Sequence, residues 1–342
     1  MFVYLKIESL IGYSVMDVSI VVPAFNEEKN IERSITSLLN QDFKGKYEII
    51  VVNDGSTDNT EKTVKEIIKK SENKIKLLNQ PNQGPAAARN AGAKIAKGKI
   101  VLFTDSDCVV EKGWIKEMVE PFKNKEVVGV QGRYKIYNKE SLVARFVQYE
   151  IEERYQRMEK QKYIDFIGSY SAGYRKDVFL KFGGFDTSFK KASGEDPEIS
   201  YRIADKGMKM VFAPKAVVYH SHPDTLKRYL KMKYGRGYWG ELLYKKHPEK
   251  RFGQSYNSIY YFLHIMATCL LSLLFVVSLP FSALFSKAAI LLLILLSLPS
   301  TLYIAKFEKK FLFIGPLFIN LRNLAIGYGV FVAKIKNLGN KA

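Results

Sequence analysis

Residues 102–110 read LFTDSDCVV: an apolar run that ends in two aspartates one residue apart, Asp105 and Asp107. Like charges repel, and a carboxylate at the edge of a core is costly to desolvate without a counter-charge. The pair therefore marks either a turn, where aspartate is common, or a seat for a cation. Upstream, the chain alternates strand and helix. VSIVVPAF (18–25), YEIIVVND (47–54), KIKLLNQ (74–80) and KIVLFTDS (99–106) are apolar strands, and helical segments lie between them, the first with Ile31, Ile35, Leu38 and Leu39 on one face. Repeated βα units with strands apolar throughout describe a parallel sheet covered on both faces, an α/β fold. In such sheets ligands sit beyond the carboxyl ends of the strands. Asn26 and Glu27, Asn53 and Asp54, and Asp105 and Asp107 all fall there.

After Glu126 the rhythm changes. VVGVQGRYKIY (127–137) predicts a strand, 140–162 a charged helix, and DFIGSYSAGYRKDVFLKFGGFD (165–186) a strand, a short helix and a turn. GEDPEISYRIADKG (194–207) predicts a helix, and MKMVFAPKAVVYHSHP (208–223) one or two strands. No internal repeat or low-complexity linker divides this region, so it is expected to be one domain over 17–224. Residues 1–16 form an N-terminal extension without a clear cleavage site, and Met16 is a candidate natural start.

The 342 residues carry a net charge of +19 and are 47% hydrophobic, unevenly distributed. Phe252 to Ser286 contains no Lys, Arg, Asp or Glu, and a second uncharged run covers 288–305. A bilayer core needs about 20 apolar residues per helix, so both predict spans. A third stretch, 311–333, carries Arg322 between Asn320 and Asn323 and can span or re-enter, giving two or three membrane helices over 258–333 and a tail at 334–342. Between Thr225 and Arg251 stand nine Lys/Arg and two Glu, interleaved with Tyr229, Tyr234, Tyr238 and Trp239. Basic and aromatic residues just before a membrane helix predict an amphipathic segment, 225–257, on anionic lipid at the cytoplasmic side. That placement accounts for much of the excess charge, and with no RNA-binding motif present, nucleic acid is not expected as a partner. Two cysteines, Cys108 and Cys269, are too few for a disulfide framework. No Walker-type loop or G-x-G-x-x-G follows an early strand, which disfavours a P-loop ATPase or a dinucleotide enzyme.

Carboxylates at three strand ends suit a nucleoside diphosphate held through a hard cation, Mg²⁺ or Mn²⁺. Five motifs in order sharpen this: VVPAFNEEKNI (21–31), IIVVNDGSTDNT (49–60), NQGPAAARNAG (82–92), DSDC (105–108) and SGEDPEISYR (193–202). Together they resemble the family 2 glycosyltransferases and their GT-A nucleotide-sugar-binding fold, over roughly 17–222. The resemblance implies a nucleotide-binding half, 17–125, and an acceptor half, 126–224. It implies that Pro23, Phe25 and Glu27 lie against the nucleoside, that Asp54 bonds the base, and that Gly84 and Arg89 lie under the nucleotide. It places Asp105 at the ribose or donor sugar, Asp107 on the metal and Asp196 as general base. Glu195 could share that role, and Asp196 could instead be a helix cap. His220, in VVYHSHP (217–223), matches a histidine that completes the metal site in some members; His222 stays open as an alternative, as does a core hydrogen bond for either. Gly173 is expected to line the site and Arg175 to contact donor or acceptor.

The implied reaction is transfer from a UDP- or GDP-sugar to a hydroxyl, because a phosphate acceptor is already anionic and needs no base. The acceptor is expected to be a lipid-linked or cell-surface glycan. Q-x-x-R-W, carried by processive synthases of this family, is missing, YGRGYWG (234–240) occupying that region, so single-sugar addition is expected. A polyprenyl-phosphate acceptor and a non-catalytic, membrane-anchored nucleotide-sugar-binding protein are the alternatives.

Overall fold

The computed structural model describes residues 17–339 except 72, 190–193 and 253. The extension over 1–16 lies outside the described residues. The chain divides into two compact units. One runs to Lys135 and resumes over Lys162–His220; the other joins Ile136–Gln161 to the chain from Ser221 onward. The helix expected over 140–162 falls, by this division, in the same unit as the C-terminal helices.

The first unit is built on β1 (Val18–Ala24), β2 (Tyr47–Asp54), β3 (Ile75–Gln80), β4 (Ile100–Thr104), β5 (Val109–Val110), β6 (Val127–Ile136), β7 (Ser171–Arg175) and β8 (Lys209–His220). They form one sheet in the order β3-β2-β1-β4-β7-β6-β8-β5. The β3-β2-β1-β4 half is parallel, and β7 and its neighbour β6 enter antiparallel. Helices α1 (Ile31–Leu39), α2 (Thr60–Ile68), α3 (Pro85–Ile95), α4 (Trp114–Val119), α6 (Lys176–Lys181) and α7 (Glu195–Ala204) complete this unit. Every residue of β1 is buried, as expected of a central strand with two covered faces. Pro23 can sit there because β1 pairs with β4 only as far as Val21↔Phe103; beyond that point no ladder bond to β4 needs its missing N–H.

The second unit contains α5 (Leu142–Glu159), α8 (Leu226–Lys246), α9 (Ile259–Ser278), α10 (Ala283–Ala305) and α11 (Phe311–Gly339). Ser141 caps α5 by accepting from the Ala144 N–H at 3.2 Å, and Thr225 caps α8 through the Arg228 N–H. Three helices, α9, α10 and residues 311–336 of α11, are long and apolar enough to cross a membrane. The third candidate is thus one continuous helix, and its polar residues are satisfied inside the bundle. Arg322 Nη1 donates to Glu150 on α5 at 2.7 Å, Asn323 to Thr268 on α9 at 3.0 Å, and Asn320 to the Leu293 carbonyl at 3.2 Å. Helix α8 packs along α11. A Cβ on Gly237 would collide with the Ile326 carbonyl, and one on Gly329 with that of Tyr234. The basic helix expected to lie on lipid is thus packed against a candidate span with backbones nearly touching.

Candidate active site

The acidic residues converge at the carboxyl end of the parallel strands, and short polar ties hold the loops that carry them. After β1, Asn26 takes φ +56°. Its N–H donates to Ser56 Oγ at 3.0 Å, and its Oδ1 accepts from the Thr57 N–H at 2.8 Å. The Glu27 N–H donates to Thr60 Oγ1 at 2.7 Å. The β1 and β2 loops are thereby zipped together. Phe25 stands 47% exposed at this edge, an aromatic face open to a ligand, whereas Pro23 is buried inside β1. Burial, opposed by the Asn30 hydrogen bond and reinforced by Asp107 and Asp105, holds the Glu27 carboxyl above its ordinary value.

Asp54, expected at the base, is tied into the loop before α3. It is buried, and Oδ1 accepts from Gln80 Nε2 at 2.7 Å and from the Gln83 N–H at 2.9 Å. Oδ2 accepts from the Gly84 N–H at 2.8 Å. With two acceptor directions per oxygen, one remains; the carboxylate mainly fastens the loop leading into α3. Gly55 makes the turn possible, with φ +75° and a missing Cβ that would press on the Asn82 backbone.

Arg89 is the hub. Buried on α3, its Nη2 donates to Asp105 Oδ1 at 2.7 Å and its Nη1 to Glu195 Oε1 at 3.1 Å. It therefore bridges two carboxylates instead of lying bare beneath a nucleotide, and those charges outweigh its burial to keep it protonated. Asp105 stays 28% exposed, with Oδ1 committed to the arginine. Asp107, 31% exposed, meets His220 from the end of β8, with Oδ2 and Nε2 3.3 Å apart. Burial pushes the Asp107 carboxyl up, but the hydrogen bond and charge of His220 outweigh it and hold the group below the usual carboxylate range. Reciprocally, burial lowers the imidazole and Asp107 more than offsets it, leaving His220 raised. Cys108 Sγ also lies within 4.8 Å of ligand atoms of Asp105 and Asp107. Burial, then those two charges, push its thiol well up, so it is a poor thiolate ligand. The part-exposed Asp107 carboxylate, with the His220 imidazole beside it, is a donor set that fits Mn²⁺ or Mg²⁺ completed by diphosphate oxygens. His222 is elsewhere: it is buried in the helical unit, with Nε2 2.9 Å from Gln148 Oε1.

Asp196 opens α7. Its Oδ2 accepts from the Ser169 N–H at 3.1 Å. Burial, then the adjacent Glu195 charge, push its carboxyl up to about 7. The cap position of this helix is taken by Gly194, not by Asp196. Both oxygens of Glu195 have partners, one on Arg89 and the other accepting from the Gly194 N–H at 3.1 Å.

Two expected residues point elsewhere. Gly173 lies within β7, paired to Leu102 and Val130, and a side chain there would meet Leu102, Met118 and Phe122, so it packs the core. Arg175 donates to the carbonyls of Val127, Phe122 and Asn124, tying down the segment before β6. The sequence reading missed Ser169, Gln131, Tyr134 and Tyr170. Buried Gln131 accepts from the Gly168 N–H and donates to the Ser171 carbonyl at 3.4 Å. Burial, then nearby Cys108, Asp105 and Asp107, push the Tyr134 phenol well up, so it stays neutral. The stretch GSYS was visible, but nothing in its spacing distinguishes a site loop from an ordinary turn.

Residues 19–183 match the family described as Glycosyl transferase family 2. Over 245 residues the chain is 29% identical to the pre-mycofactocin glycosyltransferase of Mycobacterium tuberculosis, which covers 70% of this chain and 50% of the relative. Over 131 residues it is 36% identical to the UDP-Glc:alpha-D-GlcNAc-diphosphoundecaprenol beta-1,3-glucosyltransferase WfgD of Escherichia coli, covering 38% of this chain and 50% of that one. The chain spans about half the length of these relatives. Among solved structures, the mannosyltransferase PcManGT from Pyrobaculum calidifontis, in complex with GDP-Man and Mn²⁺, is similar over 100% of this chain and 95% of that one, with a TM-score of 0.63 at 20% identity. The likeness concerns the fold, which in this chain is a mixed, mainly parallel sheet with flanking helices. With the glycosyltransferase relatives, the match over 19–183 identifies that segment as a Glycosyl transferase family 2 domain, and the likeness to the solved structure gives it a GT-A fold.

Proposed function

We propose that the chain is an inverting, metal-dependent glycosyltransferase that adds one sugar from a UDP- or GDP-sugar to a hydroxyl of a lipid-linked or cell-surface glycan. The observation that carries this reading is Asp196. It is a half-buried carboxylate poised to titrate at about 7, tied through Glu195 and Arg89 to the carboxylate pair at the end of β4. A general base works best with a pKa near the working pH. The acceptor hydroxyl gives its proton to Asp196 as its oxygen bonds to the anomeric carbon. The bond from that carbon to the diphosphate oxygen breaks, and the nucleoside diphosphate leaves. One in-line displacement inverts the anomeric centre. Mg²⁺ or Mn²⁺, held by Asp107 and His220, would neutralise charge on the departing diphosphate. Phe25 and Glu27 would face the nucleoside, and Asp105 the ribose or donor sugar.

The Escherichia coli relative's name specifies a diphosphoundecaprenol-linked acceptor, and the Pyrobaculum structure holds GDP-Man with Mn²⁺; both agree with this reading. A polyprenyl-phosphate acceptor needs no base, so a raised Asp196 favours the hydroxyl. A non-catalytic binder would not need both metal and base positions filled. The basic segment before the apolar helices favours a catalytic unit on the cytoplasmic side, in contact with membrane lipid. The test is a panel of nucleotide sugars in thermal-shift assays of the detergent-solubilised chain, with and without Mn²⁺. Binding stabilises by RT ln(1 + [L]/Kd). One donor is expected to raise the Tm only with metal, and Asp107→Ala to abolish that gain; no metal-dependent shift with any donor defeats the proposal.

A further inference from the structure

Behind the Asp107–His220 pair lies a stack of rings. Tyr134, on β6, stacks on Tyr170 with centroids 3.4 Å apart and planes within 13° of parallel. It also lies against the His220 imidazole, 5.0 Å away and tilted by 31°. Tyr170 in turn belongs to a clamped segment. Gln131 holds its Gly168 N–H and Ser171 carbonyl, Trp114 Nε1 donates to Ser171 Oγ at 2.9 Å, and Ser169 holds Asp196. The rings thus lead from the loop that carries the base's hydrogen-bond donor to the histidine beside Asp107. A histidine at a strand end has two side-chain torsions to lose before it can serve as a ligand, and a ring packed against its face restricts them in advance.

We propose that Tyr134, backed by Tyr170, is a positioning residue for His220: its ring face holds the imidazole toward Asp107, so that both protein ligands stand in place before cation and donor arrive. This rests on the metal reading given above. The ring face is what meets the imidazole, so Tyr134→Phe, which keeps it, is expected to keep the function, and Tyr134→Leu, which fills space without a face, to lose it.

The test measures Mn²⁺ affinity by electron paramagnetic resonance of the free ion, on the full chain in detergent micelles, alone and with saturating UDP or GDP. Tyr134→Phe is expected to bind as the wild type does. Tyr134→Leu is expected to bind about tenfold more weakly, the lower end for groups that orient metal ligands, with its unfolding temperature in the absence of metal recorded alongside. In a His220→Ala background, Tyr134→Leu should cost nothing further, because the ring acts through the imidazole. Should Tyr134→Leu not fold, Tyr170→Leu, which removes only the backing ring, is read against the same expectation. Wild-type affinity in a folded leucine variant, or a loss that persists in full without His220, overturns the proposal alone. A wild-type chain that binds no Mn²⁺ under either condition overturns the metal reading and this inference with it.

Discussion

The two units each bury a charge cluster, and the clusters have opposite excess. In the sheet unit a single buried arginine, Arg89, faces Asp105 and Glu195, with Asp196 adjoining and Asp107 paired to His220. In the helical unit a single buried carboxylate, Glu150, receives Arg322 at 2.7 Å, Lys233 at 2.9 Å and the Tyr229 hydroxyl at 2.9 Å. Arg154 stands by, 5.0 Å from the Tyr256 ring centroid and 5.3 Å from that of Tyr261. The acidic cluster is partly open, with Asp105 and Asp107 about 30% exposed. The basic cluster is sealed, every charged member at 5% or less. Open excess charge can recruit a counter-ion; sealed excess charge has to be met by what is already inside, here one carboxylate and the faces of tyrosines. The first reads as chemistry and the second as a fastening between α5, α8 and α11.

That contrast can be broken by experiment. The largest effect expected is on turnover. Asp196→Asn should lower transfer about 10²–10⁴-fold, the usual worth of a general base, while the fold persists by circular dichroism. The same variant tests the sign of the linkage. A carboxyl raised in the folded state binds protons that the unfolded chain has released, so it weakens the fold as pH climbs from the ordinary carboxylate range through about 7. Asp196→Asn should therefore raise the Tm at pH 8 and lose that advantage near pH 4. Glu150→Gln should do the reverse, leaving the site's chemistry in place but destabilising the helical unit by about 3–5 kcal/mol, the cost of stranding buried partners, read from thermal unfolding in detergent. Gly237→Val should cost about 1–3 kcal/mol or more by forcing α8 off α11. The mildest effect is a slope: kcat/KM with the correct donor should rise about tenfold per pH unit below 7 and level off above it.

Much of this was legible in the sequence, for reasons that separate local from distant physics. The strand and helix rhythm of 17–125 and the apolar runs after Arg251 are periodic or compositional, so a short window contains them. The strand-end acids follow from where parallel sheets leave room for ligands. What stayed hidden depends on partners far along the chain. Arg322 made the third apolar helix ambiguous because its counter-charge, Glu150, is 172 residues away. Arg89 looked like a nucleotide contact because Glu195 lies 106 residues downstream. The Asp54 carboxylate is bonded into a neighbouring loop, and Gly173 lies in a strand packed closely on Leu102, Met118 and Phe122. No local pattern could separate His220 from His222; the strand–loop boundary after β8 does.

The glycine crossing of α8 and α11 has a consequence for how the basic helix meets the bilayer. A helix held to a surface only by charge comes and goes with salt and lipid composition. One whose backbone is seated against a candidate span has no detached state within the fold. Its exposed cations, Lys227, Arg228, Lys231, Arg236, Lys245 and Lys246, are therefore fixed with it; with the candidate spans in a bilayer they would form a permanent positive collar for anionic headgroups, not a reversible recruitment device.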